Sequence, residues 1–71
     1  MNTKGLTQVV SSKFGLSKAN SGAILKTILK TIVSELKQGH LIRLRNFGTF
    51  QARKSHGQLR AKFNDSKNFF E

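Results

Sequence analysis

Leu41-Ile42-Arg43-Leu44-Arg45-Asn46-Phe47-Gly48-Thr49-Phe50 is an alternating basic strand that runs into an Asn-Phe-Gly turn and re-emerges at once as a second strand. The alternation continues through Gln51-Ala52-Arg53 and returns in Leu59-Arg60-Ala61-Lys62-Phe63, so successive side chains point to opposite faces of a sheet. One face collects Ile42, Leu44, Phe50, Ala52, Leu59, Ala61 and Phe63. The other collects Arg43, Arg45, Arg53, Arg60 and Lys62, with Thr49 and Gln51 as neutral members. Five of seven outward positions thus carry the same charge with no acid nearby in sequence, an arrangement that repels itself unless an anion sits against it.

Working outward from this sheet, two helices precede it. Thr3 is the expected N-cap of the first, which places Leu6, Val9, Val10 and Phe14 on one side and stops at Gly15. Ser17 caps a longer helix in which Leu25, Ile28, Leu29, Ile32, Val33 and Leu36 follow the i, i+3, i+4, i+7 rhythm, with Ile24 widening the stripe and Gly39 ending it. That stripe is broader than one small sheet can cover. After Phe63, Asn64-Asp65-Ser66 offers caps for a last helical turn, with Phe69 and Phe70 as anchors. The expected elements are helices over about 3–14 and 18–38, strands over about 41–45, 49–54 and 58–63, and a short helix over about 65–70. Together they give an α+β chain with a three-stranded antiparallel sheet in a single domain, 1–71.

Composition narrows the function. Thirteen Lys and Arg against three acids give a formal charge of +10 on 71 residues, a field that favours polyanions. Hydrophobic residues at 37% argue against a disordered basic tail. A chain this short has a marginal core, stabilised by ~3–5 kcal/mol. There is no cysteine for a disulfide, so oligomerisation is the expected remedy. No apolar run is long enough for a membrane span and no apolar block resembles a secretory signal, so a cytoplasmic protein is expected. Catalysis finds little support. The carboxylates are Glu35, Asp65 and Glu71, the histidines His40 and His56 fall at turns, and no nucleophile–base pair, phosphate-binding glycine loop or metal-ligand spacing is present. No enzyme activity, cofactor, metal or small-molecule substrate is expected.

Several blocks carry a resemblance. Leu6, the Gly15-Leu16-Ser17-Lys18 corner, Leu36-Lys37 followed by Gly39, Leu44, and Phe47-Gly48-Thr49-Phe50 through Arg53 stand, without a gap, where they would in the bacterial histone-like HU and integration host factor family. The corner alone is a weak signal; the Phe-Gly-Thr-Phe block behind two helices of these lengths is specific. The resemblance implies an intertwined dimer whose sheets form a saddle against double-stranded DNA in the nucleoid. It also exposes a departure. The family's β-ribbon arm ends in a proline wedge, whereas here no proline occurs and Ser55-His56-Gly57-Gln58 leads straight into the third strand.

On these grounds the expected DNA contacts are Lys4, Arg43, Arg45, Asn46, Gly48, Arg53, Lys54, Arg60, Lys62 and Lys67. Gly48 is read either as a turn glycine or as an exposed N–H for a phosphate. The expected dimer interface is Ile28, Leu29, Ile32, Val33, Leu36, Phe47 and Phe50. Lys26 and Lys30 read as a solvated helix face. Three functions fit these features: an armless, largely sequence-independent DNA binder with weak bending; an arm-deleted subunit that pairs with and modulates a full-length relative; and a small basic RNA-binding protein. The last is disfavoured because the outward face holds no stacking ring.

Overall fold

The computed structural model describes residues 1–71 in the order α1 (Thr3–Phe14), α2 (Lys18–Lys37), β1 (Ile42–Leu44), β2 (Gly48–Ser55) and β3 (Gln58–Asp65). The chain forms two compact units, Met1–Thr31 and Ile32–Glu71, with α2 contributing residues to both.

In the first unit, α1 begins at an extended Asn2 whose Oδ1 accepts the Gly5 N–H at 2.9 Å. The cap is therefore Asn2 and not Thr3. Asparagine is among the strongest capping residues, and it satisfies a donor the helix cannot satisfy internally. Thr3 instead lies in the first turn, where its carbonyl accepts the Thr7 hydroxyl. Gly15 closes α1 in the left-handed region at φ 65°. There the Leu16 N–H donates to Ser11 O, and the Ser11 hydroxyl donates to Leu16 O. Ser17 then caps α2 by accepting the Asn20 N–H at 3.0 Å. Where the helices pass, a Cβ added to Gly22 would lie 3.8 Å from the Thr7 methyl, and the neighbouring Ser21 is completely buried. Small residues permit this approach.

The second unit opens with the last turns of α2. Gly39 sits at φ 82°, with its N–H on Leu36 O and the following His40 N–H on Glu35 O, so the last carbonyls of α2 are satisfied. The sheet has the order β1-β2-β3, antiparallel throughout. A three-residue loop joins β1 to β2, with Asn46 at φ 61° and the Phe47 N–H donating to Leu44 O. Arg45 belongs to this loop and not to the strand, which shortens β1 relative to the sequence expectation. β2 and β3 pair without interruption from Gly48↔Asp65 to Ser55↔Gln58. They are closed by His56 at φ 51° and Gly57 at φ 77°, the doubly left-handed turn that matches strand twist.

The end of the chain corrects the expected C-terminal helix. β3 continues to Asp65, which consumes Asn64 and Asp65 as strand residues, and the tail beyond it makes two hydrogen-bonded turns, Phe69 N–H to Ser66 O and Glu71 N–H to Asn68 O. The Ser66 N–H donates to Phe47 O, tying this tail to the β1–β2 loop. Phe69 anchors it, with its ring 5.0 Å from Phe47 and 5.8 Å from Phe63, which in turn lies 4.8 Å from Phe50. Pairs at such separations contribute about 0.5–1.5 kcal/mol each beyond their burial. Phe70 is not an anchor: it touches Phe69 and is 91% exposed.

Candidate nucleic-acid interface

Because directly paired residues share a face of the sheet, the register fixes the two surfaces. Ile42↔Phe50↔Phe63, Ala52↔Ala61 and Lys54↔Leu59 lie on one; Arg43↔Thr49↔Asn64, Gln51↔Lys62, Arg53↔Arg60 and Ser55↔Gln58 lie on the other. The second surface carries four cations and no carboxylate. Asp65, the one acid in the strands, falls on the first surface opposite Gly48. Arg53 and Arg60 are both exposed and directly opposed. Opposed like charges destabilise an antiparallel pair. The one acid–base contact in the chain is His40 Nδ1 to Glu35 Oε1 at 3.2 Å, so no lysine or arginine has an ionic partner.

The remaining expected contacts fall less uniformly. Arg45 and Asn46 stand in the exposed β1–β2 loop. Asn46 Oδ1 accepts a long 3.5 Å bond from Asn68 Nδ2, so its side chain also braces the tail. Lys4 is exposed on the first turn of α1, and Lys67 is exposed in the terminal turns. Lys54 lies on the apolar surface, opposite Leu59, because it is one residue out of phase with Arg53. Gly48 is buried, which corrects the expectation of an exposed N–H: a Cβ there would meet Asn64 O at 2.5 Å and the Phe63 ring at 2.6 Å. Glycine is required by that close approach. Ser55, Gln58 and Asn64 also occupy the cationic surface, although they are not among the contacts expected from sequence; extending the period-two alternation into the turn finds them.

At the free end of the hairpin, Arg53, Lys54, Ser55, Arg60, Ala61 and Lys62 line a hollow of about 400 Å³. A second hollow of about 260 Å³ lies between the last turns of α2 and the apolar surface, lined by Val33, Leu36, Lys37, Ala52, Leu59, Arg60 and Ala61. Among the expected interface residues only Leu36 is buried, at 7% exposure; Ile32 and Phe50 are half-buried, and Ile28, Leu29, Val33 and Phe47 are exposed. No group of three or more His, Cys, Asp or Glu side chains is placed to hold a metal, and no helix is long and apolar enough to cross a membrane.

Two helices followed by a three-stranded antiparallel sheet with one polycationic face define a small basic α+β scaffold. The chain belongs to the bacterial DNA-binding protein family, whose model matches residues 1–66. Among relatives, it is 42% identical over 50 residues to the DNA-binding protein HRL18 of Rhizobium leguminosarum, covering 70% of this chain and 55% of that one. It is 39% identical over 54 residues to the integration host factor alpha subunit of Bartonella henselae, covering 76% and 50%. The chain thus spans about half the length of these relatives. A mutant HU from Thermotoga maritima superposes with a TM-score of 0.84 at 38% identity, covering 96% of this chain and 92% of that one. The HU of an Anabaena HU–DNA cocrystal gives the same TM-score at 24% identity, covering 97% and 92%, and shares the fold. The matching family and these relatives are described as DNA-binding or host-factor proteins, not enzymes.

Proposed function

We propose that this chain is a nucleoid-associated protein of the bacterial cytoplasm that binds double-stranded DNA as a dimer, with little sequence preference and weak bending. The observation that carries the reading is the outer surface of β1–β3. Arg43, Arg53, Arg60 and Lys62 share it with the hydrogen-bonding side chains of Thr49, Gln51, Ser55, Gln58 and Asn64, and no carboxylate interrupts them. Such a surface neutralises phosphates and donates hydrogen bonds to them, which positions a duplex without reading its sequence. None of the chain's phenylalanines falls at an outward strand position, so the surface offers no stacking platform for single strands.

A second copy is the natural cover for the apolar side. One hydrophobic side chain is buried while fourteen large ones are exposed, among them Ile24, Ile28, Leu29 and Val33 along α2, too little core for a stable monomer. In this reading residues 1–71 act as one domain once the dimer closes, with Ile28, Leu29, Ile32, Val33 and Leu36 at its centre. Lys4, Arg45, Asn46 and Lys67 are secondary contacts. The tight His56-Gly57 turn supports the absence of the family's long arm, and with it the loss of wedge-driven kinking. The same open apolar surface also fits a related full-length subunit, which makes heterodimer formation the second reading.

The deciding experiment is a gel-shift comparison of linear duplex, nicked duplex and RNA, with the oligomeric state measured by sedimentation in parallel. Preference for duplex by a dimer is expected. A folded monomer at micromolar concentration, or a preference for RNA, would overturn the reading; dimerisation only upon mixing with a longer relative would select the heterodimer.

A further inference from the structure

The hollow at the hairpin end joins an exposed serine hydroxyl to a cluster of cations. Ser55 is the last residue of β2 and faces the same side as Arg53, one step along the strand from the Arg53↔Arg60 pair. Residues two apart on one strand face are roughly 6.7 Å apart, and directly opposed pairs about 5 Å apart, so both guanidinium groups can swing over this hydroxyl. Lys54 and Lys62 complete the lining. The neighbouring turn is open: a Cβ at Gly57 would meet nothing within 4 Å, so an enzyme can reach the hydroxyl. No carboxylate lines the hollow, and none of the cations is engaged in an ion pair.

We propose that Ser55 is a phosphorylation site, and that its phosphate occupies the cationic hollow and turns off the DNA-binding surface from within. In the modifying step the γ-phosphoryl group of a nucleoside triphosphate moves to Ser55 Oγ. The new P–O bond forms as the bond to the β,γ-bridging oxygen breaks; the nucleoside diphosphate leaves, and the hydroxyl proton passes to a base of the transferring enzyme. Arg53 and Lys54 immediately before the serine suit an enzyme with an acidic substrate groove. The product carries a charge of about −1.5 to −2 and three acceptor oxygens. Arg53 and Arg60 can chelate it in the bidentate manner that guanidinium groups favour, which relieves their mutual repulsion and removes them from the backbone phosphates of DNA. The proposal rests on the DNA-binding reading for its consequence but not for its site.

The test uses full-length protein assembled by chemical synthesis with phosphoserine at position 55. Its comparisons are the unmodified chain and an Asn20→phosphoserine chain, which carries the same added charge at an exposed position in the first turn of α2. Duplex affinity is expected to fall at least tenfold further for phosphorylated Ser55 than for the position-20 control. The salt dependence should flatten by roughly 0.9 for each protomer, the contribution of one lost phosphate contact. Independently of DNA, a phosphorus NMR titration should show the second ionisation of phosphorylated Ser55 below its ordinary value of about 6. That depression should collapse when Arg53→Gln and Arg60→Gln are introduced together. Equal affinity losses at positions 55 and 20, or a titration indifferent to the two arginines, would overturn the proposal. If the unmodified chain failed to bind duplex at all, the DNA-binding reading would fall while the titration still decided whether the hollow holds the phosphate.

Discussion

Arg53→Gln is expected to stabilise the protein while weakening its grip on DNA, and the opposite signs arise from one geometric fact. Arg53 and Arg60 are directly opposed across β2 and β3 on the exposed surface, with no acidic partner for either. Opposed like charges cost roughly 0.2–1 kcal/mol. Exposure and salt screening place this pair in the middle or lower part of that range, at about 0.5 kcal/mol. Glutamine keeps most of the side-chain length and removes the charge. For a chain of this size about 0.5 kcal/mol corresponds to a rise of roughly 2–4 °C in Tm. Binding moves the other way. Each lost phosphate contact removes about 0.9 from the slope of log affinity against log salt, so a dimer losing one per protomer changes by about 1.8. Near 0.1 M salt that slope change amounts to a loss of about 60-fold, if the affinities converge at 1 M. Thermal melting at fixed protein concentration and fluorescence-anisotropy titrations at several salt concentrations measure both quantities. A variant with a lower Tm and unchanged salt slope would show that Arg53 braces the sheet and does not hold DNA.

Other expectations are simpler. Ile32→Asp places an unpaired charge in the proposed dimer interface at a cost of several kcal/mol, comparable to the whole stability, and should dissociate or unfold the protein in sedimentation and circular dichroism. Gly48→Ala should destabilise by about 2 kcal/mol or more, read by chemical denaturation, because its methyl would meet the Asn64 carbonyl oxygen and the Phe63 ring. Lys26→Ala should change duplex affinity little in the same anisotropy assay, since Lys26 projects from α2 and not from the sheet. A short duplex should show only weak bending by fluorescence transfer; a sharp, salt-resistant bend would mean that the sheet alone deforms DNA.

The sequence is most legible where a period and a stop signal coincide. Alternation from Ile42 to Phe63 assigns the strand cations to their faces, and Gly15, Gly39 and Gly57 mark their turns because each needs a positive φ that other residues resist. The loop after β1 is harder, since two residue types tolerate the left-handed region there. Asn46 takes it, and this leaves Gly48 free to serve a packing role that only the approach of Phe63 and Asn64 reveals. Lys54 departs from the expected DNA-facing surface because adjacency in sequence to Arg53 means opposition across the sheet. The tail misleads because Asn64 and Asp65 are good helix caps in isolation, whereas pairing with Thr49 and Gly48 extends the strand through them. Tertiary hydrogen bonds outweigh that local preference, and Ser66 then docks on Phe47.

The most direct test of the account is the salt dependence of duplex binding by the unmodified chain, with the dimer verified under each condition. A dimer that engages about six phosphates through its two sheets should give a log–log slope near −5, losing on the order of a thousandfold in affinity between about 50 and 200 mM salt, on random and defined sequences alike. A slope near zero with affinity retained, or strong discrimination among sequences, would contradict a surface that works by neutralising the backbone.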